Sequence, residues 1–265
     1  MDDLLMRSVD AMMAVLPRRR PPASRLHAAR IISHRGERPR PDIRENSFAA
    51  FDPLVNSGVW GLEFDIRFTA DGVPVVYHDP DLQRVHGRSE RLDRLSAAEL
   101  AALAPDIPTA AQFVARYGAR FHLMIEVKQE VYRDQPAYCG ALMDALGALE
   151  PARDFHLMSL HPTMLDRYAT VPESAKISIA RFNVANISDH VLARGQAGIG
   201  AHYALITSRR ARRHLSAGQE LALGFPQSRY SLMREINRGA NWLFSNQALA
   251  MQHTLDHLRK AASAY

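Results

Sequence analysis

Leu62-Glu63-Phe64-Asp65-Ile66-Arg67-Phe68, Thr69-Ala70-Asp71-Gly72 and Val73-Pro74-Val75-Val76-Tyr77-His78 form the stretch that decides the fold. Asp-Gly between alternating apolar residues is a strong hairpin signal, since a two-residue type I′ turn needs positive φ at both central positions. So short a link cannot cross over, and its arms run antiparallel. With Asp71 and Gly72 as the turn, Asp65 faces His78. Opposed residues point to one side of a sheet, and Glu63 joins them because side chains alternate with period two. The expectation is a face carrying two carboxylates and an imidazole.

Outward from this hairpin, short apolar runs alternate with amphipathic stretches. Strand-like runs cover 30–34, 60–67, 121–127, 155–160, 175–181, 199–206, 220–225 and 241–245. Helix-like stretches follow at about 47–57, 109–118, 134–149, 162–169, 186–194, 208–217, 228–238 and 247–262. Thr109, Ser208 and Ser228 are start signals, and Gly118, Gly195 and Gly239 stand where left-handed caps are common. With 73–78 as a returning arm, eight βα units remain, the pattern of a (β/α)8 TIM barrel in the α/β class. The division is an N-terminal helix and basic linker over 1–29 and one barrel domain over 30–265, with an insertion at about 68–107 after the second strand. An open doubly wound sheet is the alternative. It lacks its Gly-rich phosphate fingerprint, because His34-Arg35-Gly36 follows the first strand.

The chain has 265 residues, 47% of them hydrophobic and 23% charged, enough for a full core without covalent staples. Cys139 is the only cysteine, so no intramolecular disulfide forms, which fits a reducing cytoplasm. The net charge is +5 and the sequence pI about 9.6, with arginines concentrated at 18–20 and 209–213. Solvated surface or attraction to phosphorylated ligands and anionic membranes explains such an excess. No nucleic-acid motif is present. No apolar run of about 18 residues exists for a membrane span, and the start Met1-Asp2-Asp3 does not suit a signal peptide. Leu4, Leu5, Val9, Met12, Met13 and Leu16 make a helical stripe ended by Pro17. The first expectation is packing on the chain's own domain. Peripheral membrane contact through residues 4–20, at the inner face, is the second.

Catalytic side chains of such barrels come from the C-terminal ends of strands. Those ends present His34-Arg35, Glu63 and Asp65 with His78 beside them, Glu126 and Lys128, then Ser159 and His161. Glu63, Asp65 and Glu126 would repel one another if left alone. A hard divalent cation removes the conflict: Mg2+ or Ca2+, with Mn2+ a further candidate. With Arg35 and Lys128 the set keeps one positive charge, which a phosphodiester substrate would neutralise. His34 and His78 stand on different elements, as an acid and a base about a P–O bond require. Arg35 offers a planar fork for phosphate oxygens. His122, His156 and His202 read as structural, and Cys139 as a small core residue.

These residues, in this order, resemble the glycerophosphodiester phosphodiesterase family. The matching text is Ile32-Ser33-His34-Arg35-Gly36, Arg44-Glu45-Asn46-Ser47-Phe48-Ala49-Ala50-Phe51, Gly61-Leu62-Glu63-Phe64-Asp65-Ile66, Thr69 to Asp79, Leu82-Gln83-Arg84 and Glu126-Val127-Lys128. It is dense from 31 to 128 and thins beyond, where Met158-Ser159-Leu160-His161 is similar to the family's Ser-Phe strand. The resemblance implies a (β/α)8 hydrolase that, with one divalent cation, splits a glycerophosphodiester into glycerol 3-phosphate and an alcohol. It implies His34 and His78 as the acid/base pair, Glu63, Asp65 and Glu126 as metal ligands, and Arg35 and Lys128 at the phosphate, with Glu45 supporting the first loop. Three positions depart from the family pattern: Arg44 in place of proline, Leu223-Gly224-Phe225-Pro226-Gln227 in place of Trp-Thr-Val-Asn, and Ser245-Asn246 in place of Thr-Asp. The last two fall on the alcohol-binding side, where Phe225 is the candidate replacement for an aromatic surface. Enzymes acting on lysophospholipids or sugar phosphodiesters, including cyclising ones, are the alternative. A barrel that binds phosphorylated ligands without turnover is the alternative of another class.

Overall fold

The computed structural model describes residues 11–262. Its strands are β1 (Arg30–His34), β2 (Gly61–Phe68), β3 (Pro74–Val76), β4 (His122–Val127), β5 (Phe155–Ser159), β6 (Lys176–Ala180), β7 (Gly198–His202), β8 (Glu220–Gly224) and β9 (Trp242–Ser245). All but β3 form one parallel ring in the order β1-β9-β8-β7-β6-β5-β4-β2, closed by pairing of β1 with β2. Helices follow the strands on the outside, as the alternation predicts. Both faces of the strands are covered, so β4 and β5 are buried throughout, as parallel strands between a filled interior and a helical shell must be. The result is a closed (β/α)8 barrel.

Local signals account for several boundaries. Thr109 and Ser228 cap their helices by accepting from the backbone N–H groups of Gln112 and Ser231. At the sixth helix the cap is Thr207, one residue before the expected Ser208. Gly195 and Gly239 take the left-handed conformation; Gly118 stays right-handed instead.

The hairpin forms, but its register differs by one residue. Ile66 pairs with Val76, Arg67 with Val75 and Phe68 with Pro74. The Tyr77 N–H bonds the Asp65 carbonyl at 2.9 Å, so Asp65 faces Tyr77 rather than His78. The turn explains the shift. Thr69 N–H bonds Val73 O at 3.1 Å, which leaves a three-residue loop. Of its residues only Gly72 has a positive φ, +81°. A type I′ turn needs two such residues, whereas a three-residue loop with one left-handed glycine needs one. The strand ends at Val76, so alternation no longer governs His78.

Inside the ring, Ile32, Met124, Met158, Ile177, Ala222 and Phe244 pack as one cluster, each at most 4% exposed. A larger cluster joins the outer strand faces to the helices. The insertion has its own small core of Val75, Tyr77, Leu82, Leu92, Leu100 and Ala104, which steadies it over the C-terminal rim. Below the interior cluster, Trp60 stacks on His122 with ring centroids 4.3 Å apart, and Trp242 meets His156 edge-on at 4.8 Å.

The N-terminal stripe lies partly outside the described residues. Residues 11–15 are helical. Met13 packs against the outer core, while Met12 and Val15 are exposed. The basic linker is tied to the barrel, with Arg20 donating to Leu258 O and Arg19 O accepting from Asn237 Nδ2. Among the described residues no helix is long and apolar enough to cross a membrane.

Candidate metal and phosphodiester site

Parallel register sets the site. β1 and β2 align His34 with Glu63, and β2 and β4 align Asp65 with Glu126. Period-two alternation turns these side chains inward, above the apolar cluster. The chain then leaves β1 in a strained turn. Arg35 has φ +59° and Asn46 +60°, conformations that cost a non-glycine residue about 1–3 kcal/mol and cluster at functional sites. Arg35 N–H bonds Glu63 O at 2.9 Å and Asn46 N–H bonds Arg35 O at 3.0 Å, which holds the turn. Gly36 is required here: φ is +85°, and a Cβ would come within 2.5 Å of the Ala50 Cβ.

Asp65 is fully buried at the centre. Lys128 Nζ lies 2.6 Å from Asp65 Oδ1 and 2.6 Å from Glu126 Oε1. Arg35 Nε lies 3.0 Å from Asp65 Oδ2, and Asn46 Nδ2 donates to the same oxygen at 2.8 Å. Arg35 also reaches Glu45 Oε1 at 3.2 Å, and Glu45 is held in turn by Arg38 and Arg84. His34 Nε2 is 3.7 Å from Glu63 Oε2. His78 Nδ1 bonds Asp79 Oδ1 at 2.5 Å, and its backbone carbonyl accepts from Arg67 Nε at 2.6 Å. His34, Arg35, Glu63, His78, Glu126 and Lys128 all line one cavity of about 440 Å3. His78 therefore reaches the site although the pairing that suggested it does not form.

Burial and charge set the protonation states. Burial would raise Asp65, but Lys128 and Arg35 outweigh it and hold the carboxylate ionised, well below its usual range. Burial and the Asp65 charge push Glu63 well above the usual carboxylate range. Burial, with the neighbouring Arg35 charge, lowers His34 to about 3, and burial also lowers His78. Burial would lower Lys128, yet Asp65 and Glu126 raise it.

One oxygen of each of Glu63, Asp65 and Glu126 lies within 4.8 Å of the others. Glu63 Oε2 is buried without a hydrogen bond. Were all three carboxyls ionised, two nearby cations would leave one negative charge uncompensated, and without a further cation Glu63 is the group pushed up. An all-oxygen set with a spare charge and an unpartnered oxygen fits a hard divalent cation.

Several site contacts come from residues to which the sequence reading gave no role at the site. His34 Nδ1 bonds Asn246 Oδ1 at 2.7 Å, and Arg38 Nη2 donates to the same oxygen at 3.0 Å. Asp79 holds His78, and Arg84 Nε holds Asp79 at 2.5 Å. The available signal was position: Asn246 follows β9, and Asp79 follows His78 directly. His202, read as structural, lines the cavity. Phe225 lies against His34 with ring centroids 4.6 Å apart.

A closed (β/α)8 barrel with a carboxylate, histidine and arginine cluster at its C-terminal rim is thus the frame. The model of the glycerophosphoryl diester phosphodiesterase family matches residues 34–189, more than half of the chain. The chain belongs to this family. Glycerophosphodiester phosphodiesterase 1 of Rattus norvegicus is 40% identical over 74 residues, and that of Homo sapiens 38% over 74. The aligned stretch is 28% of this chain and spans only 22% of the length of these curated relatives. A glycerophosphodiester phosphodiesterase of Thermotoga maritima superposes with TM-score 0.69 at 17% identity, covering 84% of this chain and 96% of its own. An Oleispira antarctica phosphodiesterase in complex with the product sn-glycerol-3-phosphate gives 0.70 at 20%, covering 86% and 96%. At these identities the likeness is one of fold.

Proposed function

We propose that the protein hydrolyses a glycerophosphodiester to glycerol 3-phosphate and an alcohol, with one divalent cation held by Glu63, Asp65 and Glu126. The convergence of Glu63, Glu126, two histidines, Arg35 and Lys128 on one cavity, with the buried Asp65 completing the carboxylate group, carries the reading. When bound, the cation would polarise a phosphoryl oxygen and help orient the nucleophile. Mg2+, Ca2+ and Mn2+ all suit the oxygen donors.

His34 acts as the base. The Asn246 oxygen can only accept, so His34 Nδ1 carries the proton and Nε2 keeps its lone pair. His78 acts as the acid. The Asp79 carboxylate at its Nδ1 favours the imidazolium against the burial that lowers this ring, and in that form Nε2–H would protonate the departing alcohol. Arg35 and Lys128 face the phosphate and damp its charge. Glu45, held by Arg38 and Arg84, keeps the Arg35 fork in place.

Phosphorus NMR of purified protein with glycerophosphocholine and added Mg2+, Ca2+ or Mn2+ tests the reading. The expected product is glycerol 3-phosphate, lost on chelation and restored by the cation. A cyclic phosphate would select an internal hydroxyl as nucleophile. No turnover with any of the three ions would overturn the reading.

A further inference from the structure

An amide sets the tautomer of His34, and an amide can be turned the wrong way round. Asn246 Oδ1 lies 2.7 Å from His34 Nδ1. With the carboxamide rotated by half a turn, Nδ2–H would face the ring instead. His34 would then accept at Nδ1 and carry its proton on Nε2. That form has no lone pair at Nε2, the nitrogen that lies 3.7 Å from Glu63 Oε2 on the side of the site. Glu63 Oε2 is buried without a hydrogen bond, an acceptor that would draw the proton to Nε2. Asn246 is itself exposed, and among the described residues its Nδ2 has no acceptor. The orientation of the amide must therefore be fixed from the oxygen side.

Arg38 stands on that side. Its guanidinium has donors only, and Nη2 lies 3.0 Å from Asn246 Oδ1. A rotated amide would turn this contact into two donors facing each other. The other arm of the fork is anchored: Nη1 donates to Glu45 Oε2 at 2.9 Å, and Glu45 Oε1 is held by Arg84 at 2.6 Å and Arg35 at 3.2 Å. From this geometry we infer that Arg38 is a positioning residue: it fixes the orientation of the Asn246 amide and thereby holds His34 in the Nδ1–H tautomer that a base needs. The inference rests on the hydrolase reading above, with His34 as its base. Position 246 is one of those that depart from the family pattern, in which an aspartate stands there. A carboxylate presents an acceptor whichever way it turns. The need for a guard comes with the asparagine, and Arg38 answers it.

The test measures kcat and KM for glycerophosphocholine in the parent, Arg38→Met, Asn246→Asp and the double variant, at one pH and with one cation. Arg38→Met is expected to lower kcat about tenfold to a hundredfold, the range for partners that orient a functional histidine, with KM within about twofold. Arg38 lies in the loop after β1 and is partly exposed, so the melting temperature is expected to hold. In the Asn246→Asp background the same change is expected to cost under about threefold, because no amide remains to rotate. Nitrogen NMR of histidine-labelled protein, with the His34 signals identified by their loss in His34→Ala, follows the tautomer without turnover. Nδ1–H is expected in the parent, and a mixture with Nε2–H in Arg38→Met. A parental kcat in Arg38→Met would overturn the lock and leave the hydrolase standing. So would an equal loss in the Asn246→Asp background, which would show that Arg38 acts through Glu45 instead. No turnover by the parent would overturn the hydrolase reading; the tautomer then decides the lock alone, and Nδ1–H unchanged in Arg38→Met would refute it.

Discussion

Two pairs of histidines stand at opposite ends of the barrel, and they live in opposite company. At the C-terminal rim His34 and His78 stand beside carboxylates and arginines, next to a backbone turn with two left-handed non-glycine residues, and they open on a cavity. At the N-terminal end His122 Nε2 lies 2.7 Å from His156 Nδ1, and His122 Nδ1 meets Arg153 O at 3.1 Å. Trp60 and Trp242 cover that pair. The same side chain closes one end and lines the reactive space at the other. What separates them is the neighbourhood: backbone carbonyls and indoles satisfy and seal one pair, whereas carboxylates and a strained turn surround the other, the setting the proposed proton transfer would use.

Removing the rim carboxylates should break the comparison most visibly. Asp65→Asn or Glu126→Gln is expected to lower kcat about a thousandfold or more, because a metal's charge stabilisation is worth several kcal/mol and each 1.4 kcal/mol is tenfold. Steady-state assays at saturating cation measure it. His34→Ala and His78→Ala come next, each expected to lose on the order of a hundredfold or more in kcat with melting temperature kept. Asp79→Asn keeps the hydrogen bond to His78 but not the charge. Its expected loss is roughly tenfold to a hundredfold, as for other partners that orient a functional histidine, with the alkaline limb of the pH–rate profile moved to lower pH.

The N-terminal pair should register in stability instead. Burial lowers His122 to about 4 and His156 to about 3. Their unfolded value is near 6.5, so the unfolded chain binds more protons below that pH. Stability is therefore full above pH 6.5 and falls as pH drops toward 4, by up to about 1.4 kcal/mol per pH unit for one histidine. Denaturant unfolding from pH 7 to 4.5 checks this. His122→Phe should flatten the slope.

The sequence made the barrel legible because period-two strands and amphipathic helices alternate so regularly that boundaries fall within a few residues of those expected. The rim cluster was legible because strand ends can be read in order. Local turn chemistry was less so. Asp71-Gly72 marks the hairpin, but whether one or two residues turn left-handed depends on the Thr69–Val73 closure, which also uses the Thr69 hydroxyl. Asn246 and Asp79 were noted without a role because an amide or a carboxylate beside a loop has no signature until its partner histidine is placed in space. His202 was read as structural and lines the cavity, a placement the sequence did not show because a strand position gives the face and not the height along the barrel.

The division between the two ends is tested most directly by one paired measurement: kcat and melting temperature for Glu126→Gln and His156→Ala in the same preparation and assay. The expected result is a double separation, with Glu126→Gln inactive and as stable as the parent, and His156→Ala several degrees less stable with kcat unchanged. Near-parental kcat in Glu126→Gln, or a collapse of kcat in a folded His156→Ala, would contradict it.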